Sequence, residues 1–272
     1  MLSESIMKDR AGNFTASGNH RLMAGWDKPE PLEPYLIDVL DIIKGFDSKP
    51  LVGQLSDVLG YKVSGAQIND AWNYIQFFKT PEGLITYAKE KACESLFDYD
   101  PSLDFSTVHT RNGDERELEC VNILAEKTGH EFVNIGDNQA HIFSDEVGAT
   151  PDGIVLNEMG LARTGCEVKC KSPLEHTKLL LLNDNADVLR ETPEFYCQMQ
   201  TQMLVTGTDH WYFAVFNPYA FEEYIRFKYI IIYRDDIYIK AMQKRLEVAK
   251  KIKAEYLVEL KTETKLITYK KG

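Results

Sequence analysis

Apolar residues recur at helical spacing through residues 35–43 and 64–78, with Ser64 placed to cap the second run. Pro81 stands at the start of a further helical stretch that passes Tyr87 and reaches residue 96. Residues 112–128 predict an amphipathic helix, with Leu118, Val121, Ile123 and Leu124 apolar and Gly129 as its stop. Beyond that point the period shortens. Residues 131–135 and 140–143 read as strands around Gly136-Asp137-Asn138, a hairpin signal. Residues 152–156 and 166–170 form a second pair across a polar loop containing Gly160. A helix over 192–205 with Pro193 in its first turn, an aromatic strand over 210–216, a strand over 224–233 and a long charged helix over 235–260 follow. This order predicts an α/β fold, a mixed central β-sheet flanked by helices. The chain reads as a single domain over 1–272. Its core spans 108–245, and 28–107 is a helical insertion or side lobe. Pro29, Pro31 and Pro34 mark residues 28–34 as a linker or rigid turn. Asn13, Thr15 and Ser17 offer helix caps near the start.

Composition narrows the setting. No run approaches the roughly 18 apolar residues of a membrane span, and residues 1–12 lack the apolar region of a secretory signal. The five cysteines are odd in number and contain no CxxC pair, which predicts reduced thiols and a cytoplasmic location. Cys166 and Cys170 flank a strand and lack the tight turn and further ligands of a metal knuckle. The formal net charge of −11 argues against a broad basic footprint for nucleic acid. A site that gathers carboxylates around divalent cations is itself acidic, however, and local basic patches coexist with a negative total.

The candidate chemistry lies on the second strand pair. Side chains alternate along a strand, so Glu167 and Lys169 share a face. If residues 152–156 pair with 166–170 as a hairpin, Asp152 reaches the same edge. Two hard oxygen ligands and an ammonium then share one small space. Mg²⁺ takes oxygen ligands while keeping several waters. A bound metal lowers the pKa of water and neutralises phosphodiester charge. Lysine beside it can orient the attacking water, its own pKa lowered by the metal's charge. The Val168 carbonyl is a further candidate ligand, and Glu117 on the preceding helix can complete the shell. Taken singly, Glu-x-Lys on a strand is commonly a solvated face and Pro-Asp-Gly a plain turn. The order of the motifs, with a glutamine-bearing helix after them, is what carries weight. The dispersed histidines read as surface or core residues, and the aromatic run 210–216 as sheet core.

Gly148-Ala149-Thr150-Pro151-Asp152-Gly153, Cys166-Glu167-Val168-Lys169-Cys170 and Tyr196-Cys197-Gln198-Met199-Gln200 resemble, in this order, the PD-(D/E)XK nuclease core. The likeness is to that core in its phage lambda exonuclease (YqaJ-like viral recombinase) branch. Trp211-Tyr212-Phe213-Ala214, Asn217-Pro218, Gly113-Asp114-Glu115-Arg116-Glu117 and the segment 10–17 are similar to that branch too. The likeness covers roughly 1–20 and 108–245; residues 28–107 depart from it. It implies a restriction-endonuclease-like core and an alkaline, Mg²⁺-dependent 5′-to-3′ deoxyribonuclease. Such an enzyme degrades one strand of linear double-stranded DNA and leaves 3′ overhangs for recombination. By the resemblance, Asp152, Glu167, the Val168 carbonyl and Glu117 bind two Mg²⁺ ions, for which Mn²⁺ can substitute. Lys169 activates water, Gln198 lies near that water, and Arg10, Ser17 and Thr150 hold the terminal 5′-phosphate. The resemblance also implies a ring-shaped homotrimer, a single-strand annealing protein as partner, and no membrane. Read alone, Ser17 serves equally as a helix cap and Arg10 as a surface charge. An endonuclease on the same core, or a non-catalytic module that binds DNA ends, are the competing readings.

Overall fold

The computed structural model describes residues 6, 8, 10–26, 37–43, 45–46, 48–78, 80–97 and 108–270, with backbone alone at 37–38, 73–78, 108–115 and 263–270. The proline-rich segment 28–34 lies outside the described residues. The chain divides into two compact units, Ala24–Ile85 and the remainder, Met1–Met23 with Thr86–Gly272.

The smaller unit is helical: α1 Ile37–Ile43, α2 Val52–Leu59 and α3 Gly65–Phe78. Val39, Ile43, Leu55, Val63, Ile68 and Ala71 form a core of its own. Ser64 caps α3 as its sequence position predicts. Its Oγ accepts from Gln67 N at 3.2 Å, and the Gln67 side chain accepts from Ser64 N at 2.8 Å. Pro81 precedes α4, Glu82–Glu94.

In the larger unit two sheets meet several helices. Strand β1 (Phe14–Thr15) pairs in parallel with β3 (Val147–Ala149), which pairs antiparallel with β2 (Ile142–Ser144). The second sheet runs β4-β5-β6-β7: Gly153–Leu156, Ala162–Lys169, His210–Phe216 and Phe227–Tyr233. β4/β5 and β6/β7 are antiparallel and β5/β6 is parallel, so this is the expected mixed sheet. The parallel step needs a crossover. It is made by α6 (Pro173–Leu180), α7 (Asn185–Glu191) and α8 (Pro193–Thr206). Helix α5 (Val108–Thr128) packs Cys120, Val121 and Leu124 against Cys166, Val168, Tyr212 and Ala214 of the sheet. The aromatic strand β6 is core along almost its whole length, as its sequence predicts. Helix α9 (Asp236–Lys270) closes the unit, and no described helix is long and apolar enough to cross a membrane.

Two local expectations are corrected. Gly136-Asp137-Asn138 is a 3-10 turn; the hairpin turns at Asp145-Glu146 between β2 and β3. Both residues have positive φ, 46° and 59°, the backbone of a tight two-residue hairpin turn that ordinarily selects Asn or Gly. Ion pairs from α9 hold it: Lys250 to Asp145 at 2.6 Å and Lys253 to Glu146 at 2.7 Å. Long-range charge therefore sets a turn that local composition does not announce. The second correction is at Phe14–Thr15, where a strand replaces the expected helix cap. Thr15 N–H goes to the Tyr87 hydroxyl, and Thr15 pairs in register with Gly148.

Gly165 shows how tightly the sheet beneath β5 is filled. A Cβ there would lie 2.4 Å from the Trp211 ring and 2.8 Å from the Gly153 carbonyl. Gly165→Ala is expected to destabilise the protein by about 1–3 kcal/mol through overpacking. Urea denaturation checks it, and an unchanged midpoint would contradict this packing.

Candidate active site

Asp152 stands one residue before β4, and Gly153 lies opposite Cys166 on β5. That register sets Asp152 beside Glu167 and Val168, so the hairpin inferred from sequence is present. Asp152 Oδ2 accepts from Val168 N at 2.7 Å, and Oδ1 accepts from Gln139 Nε2 at 3.1 Å. Glu167 is 1% exposed. One of its oxygens pairs with Lys169 Nζ; the other accepts from Gln202 Nε2 at 2.7 Å. Lys169 also lies 5.0 Å from the Phe195 ring centroid, with Lys171 at 5.6 Å from the same ring.

These groups open onto a cleft of about 330 Å³. Asp152, Glu167, Lys169, Gln198, Glu117, Arg10, Ser17 and Thr150 all line it, so eight of the nine residues singled out from sequence meet there. The ninth, Val168, is a core residue whose N–H fixes Asp152. Residues 112–115 ahead of Glu117 have no described side chains.

Charge divides the cleft. At one end three carboxylates, of Asp152, Glu167 and Glu117, act on the single ammonium of Lys169. Burial and the Glu167 charge push the Asp152 carboxyl well above the usual range, with Lys169 opposing. Burial alone would weaken proton binding by Lys169, but Glu167, Asp152 and Glu117 outweigh it and raise its pKa. The sequence-based expectation of a lowered lysine pKa assumed an adjacent metal charge; the carboxylates by themselves have the opposite effect. Among the described residues no three His, Cys, Asp or Glu side chains are gathered closely enough to enclose a metal ion unaided. At the other end Arg10 Nη2 donates to Ser17 Oγ at 3.2 Å, and Thr150 Oγ1 meets His141 Nδ1 at 2.9 Å. Burial lowers the Arg10 pKa, with Tyr87 and Glu94 opposing. The cysteines are free thiols, and burial raises the pKa values of Cys120, Cys166, Cys170 and Cys197. These four stay protonated and inert at neutral pH.

Sequence reasoning missed Gln139, His141 and Gln202. Gln139 and His141 alternate ahead of β2 and point polar groups to Asp152 and Thr150. Gln202 lies one helical turn beyond Gln198, a spacing that places both on one face of α8. The polar alternation and the repeated glutamine were the available signals.

The raised Asp152 pKa has a stability consequence. Folded Asp152 holds its proton more tightly than the unfolded chain does. Its contribution is therefore fully present below the ordinary value of 3.8 and is lost as pH rises through the folded value. In divalent-free buffer at pH 8, Asp152→Asn is expected to be more stable than wild type by about 1–3 kcal/mol. The gap should close near pH 4. A less stable variant at pH 8 would refute the charge strain inferred here.

Residues 84–209 match the family model of the YqaJ-like viral recombinase domain. No curated protein matches the chain. Among solved structures, an alkaline exonuclease (LHK-Exo) from Laribacter hongkongensis is similar at 18% identity and a TM-score of 0.60. The match covers 97% of this chain and 100% of that one. LHK-Exo in complex with dAMP gives the same identity and TM-score, covering 98% and 99%. A phage-related exonuclease from Haemophilus somnus 129PT is 15% identical, with a TM-score of 0.53, over 82% of this chain and 99% of that one. At these identities the structural likeness speaks for the fold. Residues 84–209 are thus similar to the YqaJ-like viral recombinase domain, and the mixed α/β fold is one shared with the alkaline exonucleases.

Proposed function

We propose that the protein is a Mg²⁺-dependent 5′-to-3′ exonuclease that degrades one strand of linear double-stranded DNA and leaves 3′ overhangs for recombination. The observation that carries this is the division of one cleft into an acidic end and an anion-seeking end. A phosphodiester next to a terminal phosphate needs both.

The donor set fits a hard divalent cation. Asp152 and Glu167 offer carboxylate oxygens from a rigid hairpin, Glu117 adds a third across the cleft, and Lys169 alone leaves their charge under-compensated. Mg²⁺ keeps most of its waters, so few protein ligands suffice. In this reading Asp152, Glu167, the Val168 carbonyl and Glu117 would hold one or two ions, with Mn²⁺ able to substitute. When bound, the metal supplies an activated water and neutralises developing charge.

The chain's own groups do the rest. Lys169, kept cationic by its carboxylate neighbours, orients the attacking water and balances charge on the phosphoryl oxygens. Gln198, on the cleft wall, offers an amide to that water. Gln202 and Gln139 hold Glu167 and Asp152 in place. Arg10, Ser17 and Thr150 take the terminal phosphate, for which a guanidinium and two hydroxyls are suited donors. The dAMP in the LHK-Exo structure is a mononucleotide, the kind of product such a reaction releases. The proposal extends to a ring-shaped homotrimer that works beside a single-strand annealing protein in the cytoplasm.

The test is digestion of 5′-phosphorylated linear duplex in Mg²⁺, with a covalently closed circle of the same sequence alongside. Wild type should release nucleotides from the linear form only. Lys169→Ala should slow release by on the order of 10²-fold or more. Equal rates for wild type and variant, or equal loss of the circle, would reject the reading.

A further inference from the structure

The anion-seeking end of the cleft is wired by hydroxyls, each of which owns a single proton. Thr15 N donates to the Tyr87 hydroxyl oxygen at 2.9 Å, and the same oxygen lies 3.3 Å from Thr15 Oγ1. A phenol that accepts the backbone N–H has its own proton left to give, and Thr15 Oγ1 is where it can go. With its oxygen so occupied, Thr15 Oγ1 can direct its own proton toward Ser17 Oγ, a long contact at 3.5 Å. Ser17 Oγ also accepts from Arg10 Nη2. In that arrangement Ser17 keeps its own proton to give elsewhere. No other acceptor for that proton is found among the described residues, and Ser17 lines the cleft.

The neighbouring strand has the same design. Thr150 Oγ1 contacts His141 Nδ1 at 2.9 Å. If Nδ1–H donates, the Thr150 proton is free for the cleft; if Nδ1 accepts, that proton is spent inside the wall. Both aromatic rings are wedged against glycines. A Cβ on Gly18 would come within 2.3 Å of the Tyr87 hydroxyl, and one on Gly148 within 2.1 Å of the His141 ring. Burial raises the Tyr87 pKa, which keeps the phenol protonated. The Arg10 guanidinium, which donates to Ser17 and feels the Glu94 carboxylate, adds a cation to this end.

We infer that Tyr87 and His141 are positioning residues of the terminal-phosphate site. Tyr87 acts through Thr15, and His141 by donating from Nδ1 to Thr150, so that Ser17 and Thr150 both face the cleft as hydrogen-bond donors. The ligand class this selects is a phosphomonoester, whose oxygens only accept, over a 5′-hydroxyl end, which brings a donor of its own. This inference rests on the proposed cleavage at DNA ends. It adds two residues that no motif of the sequence marks.

The experiment compares rates on 5′-phosphorylated and 5′-hydroxyl duplexes of one sequence, with kcat and KM separated. Tyr87→Phe and His141→Leu should each lower the phosphate-to-hydroxyl preference by about tenfold, chiefly through KM on the phosphorylated end. His141→Asn should retain the preference, because its amide N–H can replace the Nδ1 donor. Thermal unfolding of each variant separates a folding defect, which depresses both substrates alike. If Tyr87→Phe does not fold, the His141 pair decides. Wild-type preference in Tyr87→Phe and His141→Leu, or equal loss in the Asn and Leu variants, overturns the inference. Digestion by wild type without any phosphate preference overturns it too, leaving the nuclease reading intact. Absence of digestion by wild type sinks both.

Discussion

Asp152 and Glu167 face one cleft from adjacent strands, and Lys169 is the ammonium closest at hand. Burial, and the Glu167 charge beside it, raise the proton affinity of Asp152. Left to relax, such a pair would separate or protonate. It persists because the strands that carry it have little freedom. β5 is paired on both sides, by β4 and β6, and Val168 is sealed in the core beneath α5. Gln139, Gln202 and the Val168 N–H occupy the carboxylate oxygens that Lys169 does not. The acidic site is thus held in a strained electrostatic arrangement by ordinary packing, a pattern met where charge is kept ready for a ligand.

The second sheet completes the site from a distance in sequence. β1 joins β3 in parallel and carries Ser17 to the cleft that Thr150 lines from the end of β3. β3 in turn depends on a turn whose positive φ values are held by lysines of α9. The N-terminal segment, the middle hairpin and the C-terminal helix therefore converge on one cleft, bringing the Arg10 guanidinium and the Ser17 and Thr150 hydroxyls into the space the carboxylates line. A polymer end that bears a phosphate and a neighbouring phosphodiester matches both halves of such a cleft.

Much of this was legible because local and global signals agree. The β4–β5 hairpin follows from two β-like runs across a Gly160 loop, and the Pro193 helix from its first-turn proline. Glu167 and Lys169 share a face through simple alternation. The parts that sequence concealed depend on long-range partners. Asp145-Glu146 lacks hairpin composition, because ion pairs from α9 do the work of a glycine. Phe14–Thr15 is too short to show a period and becomes a strand only because β3 offers an edge. The hydrogen bond from Gln202 to Glu167 needs the helix docked before its meaning is visible.

The central claim is that the carboxylate cluster lacks positive charge that a divalent cation supplies. Calorimetric titration of Mn²⁺ into wild type and Asp152→Asn tests it most directly, since it reads binding without requiring turnover. Wild type is expected to bind Mn²⁺ saturably, with binding weakened at least tenfold in the variant. Equal binding to both proteins, or none to wild type, would contradict it.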